Sequence, residues 1–302
     1  MPTSTVAARV RNPLGTHVLV GSGLVSGALA SAEELGCDAI QIFAGNPRGW
    51  ALSDGDPAAD RRFRDAAARQ GLRVVVHAPY LVNPGSPDPL TYERSIASVA
   101  HQLRRAAELG AEGVVVHTGS YVSVEGGAEE HAAALGRVRE GLLPLLDALP
   151  ADGDEAPWLL LEPTAGQGRS LCSRVADLPA YLAALEHHPR VGLCLDTCHL
   201  FAAGEPLDEP GGTAAVVDRV VEIAGEGRLR LVHANDSLDV RGSLRDRHAR
   251  LGEGRLGTRA FAELFAHPAT AGVPFILETP GSRDPGNPDL ALLERLRAEV
   301  RS

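Results

Sequence analysis

The chain has 302 residues, with 29 basic and 39 acidic side chains and a formal net charge of −10. Hydrophobic residues make up 44% of the sequence, which is enough for a large core and argues against disorder. The acidic balance argues against a nonspecific polyanion binder with a basic surface, although bound metal ions would change the sum. Four cysteines are too few for a disulfide framework in a chain of this length.

The sequence also lacks the features of membrane and secreted proteins. No apolar run approaches the roughly 18–20 residues that a membrane span requires. Residues 1–15 are polar, with Arg9 and Arg11 among them, and they lack the apolar segment of a secretory signal. We therefore expect a soluble, cytoplasmic protein that makes no membrane contact.

Short aliphatic runs alternate with longer stretches of helical spacing that are rich in Ala, Leu, Glu and Arg. The predicted strands cover residues 17–21, 38–43, 73–78, 113–118, 157–162, 191–196, 229–234 and 273–279. The predicted helices cover residues 25–36, 57–70, 90–109, 127–147, 175–187, 213–225, 257–266 and 288–301. Three of these helices end at a glycine stop, namely Gly36, Gly71 and Gly110.

Eight βα units in strict alternation predict a parallel sheet covered by helices. Their number favours closure into a (β/α)₈ TIM barrel over an open, doubly wound sheet. The only glycine cluster near the first strand, Gly21-Ser22-Gly23, lacks the third glycine of a dinucleotide-binding loop. Since no linker divides the chain, we expect residues 1–302 to form one barrel domain, with its chemistry at the C-terminal ends of the strands.

A side chain of a metal-binding type ends each strand from the third to the eighth, directly after an apolar run. These six residues are His77, His117, Glu162, Asp196, His233 and Glu278. Their intervals of 40, 45, 34, 37 and 45 residues correspond to about one βα unit each, which brings all six to one rim. One such residue is ordinarily a hydrogen-bonded rim residue or a helix cap. Six together would carry a large desolvation cost that bound cations remove.

A second candidate cluster consists of Asp246 and His248, in a polar loop, together with His199, three residues after the sixth strand. These residues could complete a further three-ligand site. Imidazole nitrogen and carboxylate oxygen without thiolate suit Zn²⁺, with Mn²⁺ or Fe²⁺ as alternatives. Cys194 and Cys198 flank the sixth strand's aspartate, and we interpret both as small packing residues, with Cys198 starting the following loop.

In these motifs the sequence resembles the endonuclease IV family of apurinic/apyrimidinic endonucleases, which are (β/α)₈ DNA-repair enzymes with three zinc ions. The most specific matches lie in the loops after the strands. They are Asn46-Pro47-Arg48-Gly49-Trp50, His77-Ala78-Pro79-Tyr80-Leu81, Thr164-Ala165-Gly166-Gln167-Gly168, Asp196-Thr197-Cys198-His199, His233-Ala234-Asn235-Asp236-Ser237 and Asp246-Arg247-His248.

The resemblance implies three zinc sites built from nine side chains. The first site would contain His77, His117 and Glu162. Glu162 would bridge to the second site, which would also contain Asp196, His233 and Glu278. The third site would contain His199, Asp246 and His248. Glu162 would thereby be the catalytic residue, Arg48 and Tyr80 would enter the DNA, and Trp50 is assigned to packing.

The activity that the resemblance implies is hydrolysis of the phosphodiester 5′ to an abasic site in duplex DNA. The products would be a 3′-hydroxyl end and a 5′-deoxyribose phosphate, as in base excision repair, and blocked 3′ ends would be trimmed as well. Adjacent dications suit this chemistry because they acidify water and clamp phosphate oxygens. An abasic nucleotide also leaves the base stack cheaply. We expect the enzyme to be a monomer.

Three positions depart from the family pattern. Pro163 stands where Asn is more frequent, Thr118 where Pro is found, and Leu238 where Lys is common. They put hydrogen bonds around the metal ligands and fine substrate contacts in doubt. The main alternative function is a divalent-metal sugar isomerase or epimerase on a related barrel, which needs only one or two metals. A non-catalytic metal-binding module is a third reading.

Overall fold

The computed structural model describes residues 11–121, 127–150 and 156–300. The strands within these ranges are β1 (Leu14–His17), β2 (Ala39–Ile42), β3 (Arg73–His77), β4 (Gly113–His117), β5 (Trp158–Glu162), β6 (Val191–Asp196), β7 (Leu229–His233), β8 (Asp236–Ser237), β9 (His248–Ala249) and β10 (Phe275–Leu277). Eight of them close into a parallel barrel in the order β1-β10-β7-β6-β5-β4-β3-β2, while β8 and β9 form a separate antiparallel pair. The predicted (β/α)₈ barrel is confirmed.

The helices that connect these strands cover the outside of the barrel. They are α1 (Ala30–Leu35), α2 (Pro57–Gln70), α3 (Pro89–Leu109), α4 (Ala128–Asp147), α5 (Leu178–Ala184), α6 (Thr197–Ala203), α7 (Gly212–Ala224), α8 (Thr258–Ala266) and α9 (Pro288–Glu299). A π-helical segment (Leu24–Leu29) precedes α1, and 3₁₀ turns lie at Val175–Asp177 and Pro268–Thr270. None of the helices in the described ranges is long and apolar enough to cross a membrane.

The helix ends follow the local sequence signals. The carboxylate of Asp56 accepts hydrogen bonds from the amides of Ala58 and Ala59 at the start of α2, where Pro57 occupies the first helical position. The three predicted glycine stops are confirmed, since each adopts a left-handed conformation at a helix end. The predicted helix at 25–36 begins as the π-helical segment, and the one at 175–187 divides into a 3₁₀ turn and α5.

The predicted first strand was misplaced by three residues. The run Val18-Leu19-Val20 has strand-like composition, but Leu19 is 60% exposed and follows the barrel strand. The strand in the barrel is Leu14–His17, because Gly15 pairs with both neighbouring strands. His17 therefore ends β1 instead of starting it. The short helix α6, directly after β6, was not predicted either.

Alternation along the strands separates the barrel interior into layers. Alternate residues of seven strands form an apolar interior cluster that is distinct from the larger core beneath the helices. Its members are Ala39, Val75, Val115, Leu160, Cys194, Leu231 and Ile276. Because side chains two residues apart share a face, the next residue to point inward on each strand lies one layer nearer to the C-terminal rim.

Gly15 generates a test of the barrel packing. A Cβ atom at this position would overlap the backbone carbonyl oxygen of Ala39, which cannot move without disturbing the pairing of β1 with β2. Gly15→Ala should therefore lower the free energy of unfolding by roughly 1–3 kcal/mol or more. Gly136→Ala in α4 is the matched control, because a Cβ there meets no atom within 4 Å. It should raise the stability by about 0.5–1 kcal/mol. Equal effects of the two substitutions in urea unfolding would contradict the assigned β1 register.

Candidate metal centre

A layer of polar side chains lies directly above the apolar interior layer. It contains one residue from the C-terminal end of each barrel strand: six are the last residue of their strand, Gln41 is the last but one of β2, and Glu278 directly follows β10. The eight members are His17, Gln41, His77, His117, Glu162, Asp196, His233 and Glu278. The period of two along each strand therefore carries all six strand-end residues of the sequence analysis to one rim, together with two that it did not select.

Glu162 occupies the centre of this layer and is 1% exposed. Its Oε2 atom lies 3.3 Å from Nε2 of His77 and 3.3 Å from Nε2 of His117. Its Oε1 atom lies 2.9 Å from Nδ1 of His233. Oε2 is buried and has no hydrogen-bond partner among the residues that the structure describes. Burying an ionised oxygen without a hydrogen-bond partner has a high free-energy cost, which a cation bound beside the oxygen would offset.

A second group forms on the other side of Glu162. Nδ1 of His233 lies 3.4 Å from Oε2 of Glu278 and 3.9 Å from Oδ2 of Asp196. Asp196 is fully buried and is fixed by two donors, the side-chain amide of Asn235 at 2.7 Å and the backbone amide of His199 at 2.9 Å. The second of these bonds caps α6, so the helix start and the carboxylate are positioned together.

The third group combines α6, a loop and β9. Nε2 of His199 lies 3.2 Å from Oδ2 of Asp246, and Nε2 of His248 lies 3.1 Å from Oδ1 of the same carboxylate. Asp196 also approaches this group, with Oδ2 3.5 Å from Nε2 of His248. The side chain of Asp246 is 34% exposed, so this group is the one nearest to solvent.

The structure thus brings all nine predicted ligand residues together. Five groups of three have ligand atoms within 4.8 Å of one another. Three of them consist of the predicted ligands alone: His77, His117 and Glu162; Asp196, His233 and Glu278; Asp196, His199 and His248. The other two include a cysteine: Glu162, Cys194 and His233; Cys198, Asp246 and His248. Asp196 belongs to two of these groups, a sharing that the sequence motifs did not predict. Asp246 joins the third group through its contacts with both histidines.

The hydrogen bonds of the histidine rings show which nitrogen faces the cluster. In three rings Nδ1 lies against a backbone carbonyl, which can only accept, so Nδ1 must carry a hydrogen. The three bonds join His77 to Ala78 at 2.7 Å, His199 to Pro163 at 3.1 Å and His248 to Glu278 at 3.3 Å. In each ring Nε2 then faces carboxylate oxygens, as in histidines that bind a metal through one nitrogen. The donor set therefore fits a group of cations.

The charges of the cluster depend on mutual stabilisation. Burial disfavours ionisation of Glu278, but His233 and His77 outweigh it and lower its pKa to about 2. Burial also disfavours a charged His248, yet the carboxylates around it, Asp196 first, raise its pKa to about 9. Glu278 thus stays ionised only with positive charge nearby, which either protons on the histidines or metal ions can provide.

The two cysteines near the site differ from the ligands in environment. Cys194 belongs to the apolar interior layer, and burial raises the pKa of its thiol to about 12. Cys198 lies within α6 instead of starting a loop, which corrects the prediction. Burial raises the pKa of its thiol as well, and its sulfur lies 3.7 Å from the carbonyl of Arg247. Cys194 lies in the apolar layer below the ligands and Cys198 is buried within α6, so both fit the packing interpretation.

The cluster lies at the base of a cavity of about 840 Å³ that opens at the C-terminal rim. Arg48 and Tyr80 both line it, on loops joined by a hydrogen bond from the Tyr80 amide to the Pro47 carbonyl at 3.0 Å. The side chain of Tyr80 is 53% exposed, and its ring centre lies 5.2 Å from that of Phe43. Trp50 is partly buried against the core, as predicted.

The three departures from the family pattern lie close to this site. The backbone carbonyl of Pro163 accepts the hydrogen bond from Nδ1 of His199. This contact does not depend on which side chain stands at position 163. Thr118 is buried, and its hydroxyl donates to the carbonyl of Cys172 at 2.7 Å. Leu238 is 51% exposed at the rim. Hydrogen bonding around the ligands is therefore intact at the first two positions.

Three polar residues next to the ligands were missed in the sequence. Gln41 and Asn235 are fully buried, and the ring of His17 lines the cavity. A glutamine inside the apolar β2 run was the available signal for Gln41, because a buried amide requires partners. His17 escaped notice because the first strand was placed too late. Asn235 lies two residues after His233, the last residue of β7, so its side chain points to the same side as that of His233.

Metal binding should stabilise the fold, because cations relieve the repulsion among buried carboxylates. Adding Zn²⁺ to chelator-treated protein should raise the melting temperature, with a stabilisation of about 2.7 kcal/mol at a hundredfold excess over Kd. Mg²⁺ should stabilise it much less, because this ion prefers oxygen ligands and the cluster offers five imidazoles. Calorimetry that finds the same melting temperature with and without Zn²⁺ would contradict a metal centre.

Comparison with known proteins places the chain in a family. Residues 29–299 match the family model of the xylose isomerase-like TIM barrel. The chain is 52% identical over 287 residues to "Probable endonuclease 4" of Streptomyces avermitilis, which covers 95% of this chain and 91% of that protein. The crystal structure of endonuclease IV from Thermus thermophilus matches with 35% identity and a TM-score of 0.78, over 95% of this chain and 98% of that chain. A D-tagatose 3-epimerase-like protein, at 19% identity and a TM-score of 0.70 over 96% of this chain and 100% of that chain, shares the fold alone. The chain therefore belongs to the endonuclease IV family of xylose isomerase-like TIM barrels.

Proposed function

We propose that the chain is a metal-dependent apurinic/apyrimidinic endonuclease. It hydrolyses the phosphodiester on the 5′ side of an abasic site in duplex DNA and leaves a 3′-hydroxyl and a 5′-deoxyribose phosphate. Blocked 3′ ends are a second substrate of the same site. The enzyme acts as a cytoplasmic monomer built from a single barrel domain.

The observation that carries this proposal is the third donor group. His199, Asp246 and His248 come from α6, a loop and β9, outside the eight barrel strands. A sugar isomerase or epimerase, which needs one or two metals, has no use for this addition. This third donor group faces the solvent, beside two donor groups that are buried. Such an arrangement is open to the charged oxygens of a phosphodiester, which must approach from the cavity.

We further propose that the centre holds three zinc ions, with Mn²⁺ or Fe²⁺ as possible substitutes. His77, His117 and Glu162 hold the first; Glu162, Asp196, His233 and Glu278 hold the second; His199, Asp246 and His248 hold the third. When bound, such dications supply a water of lowered pKa and neutralise the charge on the phosphate oxygens. The mixed imidazole nitrogen and carboxylate oxygen donors support zinc.

Glu162 is the residue on which the proposed chemistry depends. Its two carboxylate oxygens face different groups, Oε2 toward His77 and His117 and Oε1 toward His233. One buried charge thereby holds two groups at a fixed separation. Neutralising this carboxylate removes the charge at the point where the two groups meet and leaves the cavity above them unchanged.

Arg48 and Tyr80 are proposed to bind the DNA around the lesion. Both line the cavity, and no hydrogen bond or ion pair among the described residues joins either side chain to a carboxylate of the cluster. A guanidinium suits phosphate, and an exposed aromatic ring can occupy the space that a missing base leaves. Three zinc ions would also place six positive charges at the mouth of a chain whose formal charge is −10, which focuses attraction for DNA there.

Incision of a defined abasic duplex, with and without a chelator, tests the function. The parent should nick the lesion strand, and chelation should abolish nicking, while sugar turnover stays absent. Glu162→Gln should reduce single-turnover incision by far more than tenfold, a barrier change of about 1.4 kcal/mol, yet still bind damaged DNA. Cys198→Ser is the control and should be mild. A Glu162→Gln enzyme within tenfold of the parent would rule out the assigned role, and sugar turnover without nicking would favour the isomerase.

The recognition residues are tested separately from the metals. Arg48→Ala and Tyr80→Ala should weaken binding of abasic DNA and leave the metal content unchanged. Binding by the parent should fall as salt rises, because phosphate contacts release counterions, and Arg48→Ala should show a shallower dependence. Arg139→Ala is the matched control, since this exposed arginine of α4 pairs with Glu186 away from the cavity. Parent-like affinity in both variants across salt concentrations would contradict the proposed role.

A further inference from the structure

Gln41 is a fully buried amide in β2, between two isoleucines of the same strand. Such a group is costly to bury unless each of its atoms has a partner. Its oxygen lies 2.8 Å from Nε2 of His233. Its nitrogen lies 2.6 Å from Oε1 of Glu278 and 3.2 Å from Nδ1 of His17. One side chain thus contacts two proposed metal ligands and one further ring.

The carboxylate of Glu278 determines which way the amide points. An ionised carboxylate only accepts hydrogen bonds, so the NH₂ end of Gln41 must face it. The amide oxygen must then face His233, and an oxygen can only accept. His233 is therefore required to carry a hydrogen on Nε2.

This requirement fixes the state of the nitrogen that faces the cluster. With Nε2 protonated, a neutral His233 presents the lone pair of Nδ1 to Oε1 of Glu162 at 2.9 Å and to Oε2 of Glu278 at 3.4 Å. A lone pair among carboxylate oxygens is repelled unless a proton or a metal ion lies between them. The orientation of Gln41 therefore selects the form of His233 that binds a metal through Nδ1.

His17 supports the amide from the other side. The second hydrogen of the Gln41 amide points to Nδ1 of His17, which makes His17 an acceptor there. The ring of His17 is also packed against Phe43, with ring centres 4.5 Å apart. Rotation of the Gln41 amide by half a turn would place its oxygen against the carboxylate of Glu278 and would require both histidine rings to change tautomer, so the contact with Glu278 holds the orientation.

We propose that Gln41 is a positioning residue for the metal centre: its oxygen holds His233 in the metal-binding tautomer and its nitrogen orients the carboxylate of Glu278. The inference rests on the proposed function, in which both residues hold the second metal. Partners of this kind affect metal affinity by about 10–100-fold when they are removed. The loss should be confined to the metal that His233 and Glu278 share.

Gln41→Met tests the inference, because it keeps the volume and removes both hydrogen-bonding ends. Transfer of metal from the loaded protein to a chromophoric chelator should become biphasic, with one of the three metals leaving about 10–100-fold faster. Gln102→Met is the matched control. Gln102 is also a buried glutamine, 2% exposed, but it lies in α3 and its amide faces His101 instead of the cluster.

A spectroscopic readout separates positioning from general loosening of the fold. In ¹⁵N-histidine-labelled protein, the Nε2–H of His233 should give a protected signal, which Gln41→Met loses and Gln102→Met keeps. If Gln41→Met fails to fold, Gln41→Leu takes its place because it also lacks an acceptor, and a protected Nε2–H signal retained in that variant would overturn the inference. Metal release at the parent rate, or equal acceleration for all three metals, would overturn it as well.

These readouts do not depend on DNA, so the two proposals can fail independently. A chain that incises abasic DNA but releases metal normally in Gln41→Met keeps the proposed function and loses this inference. A chain that does not incise DNA but shows the selective release keeps the role of Gln41 and loses the nuclease.

Discussion

Four carboxylates and five imidazoles share the mouth of the barrel, and the need to balance their charge is the constraint on which the site depends. Glu162 and Asp196 are almost completely buried, so water cannot screen their repulsion. Protons on the histidines can supply the balance, and so can metal ions. In His77, His199 and His248 the nitrogen remote from the cluster has a backbone carbonyl as its acceptor. The inward nitrogen is therefore the one that faces the carboxylates and is available to a proton or to a metal ion.

Much of this arrangement could be predicted from the chain, because one rule governs both the fold and the site. Side chains alternate along a strand, so an apolar run that ends in His77 or Glu162 places that residue one layer above the core. The rule fails where the strand itself is misplaced. His17 was assigned to the start of β1 because Val18-Leu19-Val20 has strand composition, and no local signal marks Gly15 as the residue that pairs with two neighbours. Gln41 was missed for another reason. The sequence analysis selected metal-ligand types, and the role of Gln41 comes instead from its hydrogen bonds to residues at the ends of three other strands.

The third donor group shows why the fold alone does not set the chemistry. The barrel is shared with an epimerase-like protein at 19% identity, and such a likeness shows the fold without specifying a reaction. His199 depends on the cap that Asp196 gives to α6, and His248 depends on the pairing of β8 with β9. Asp236 stabilises that region by accepting bonds from the backbone amides of Gly252 and Leu256. Strand periodicity could not predict any of these contacts. The sequence motifs predicted only that His199, Asp246 and His248 form a group.

Exposure varies across the centre in a way that bears on how a substrate approaches. His233 and Asp196 are fully buried, whereas the side chains of His117 and Asp246 are 24% and 34% exposed. A buried ligand has its orientation fixed by neighbours, so it can hold a metal without rearrangement. A ligand at the cavity wall leaves coordination positions open on the solvent side, which is where a phosphate can enter. Under the proposed function, the buried side of the centre would maintain the geometry, and the exposed side, between His117 and Asp246, would receive the phosphate oxygens.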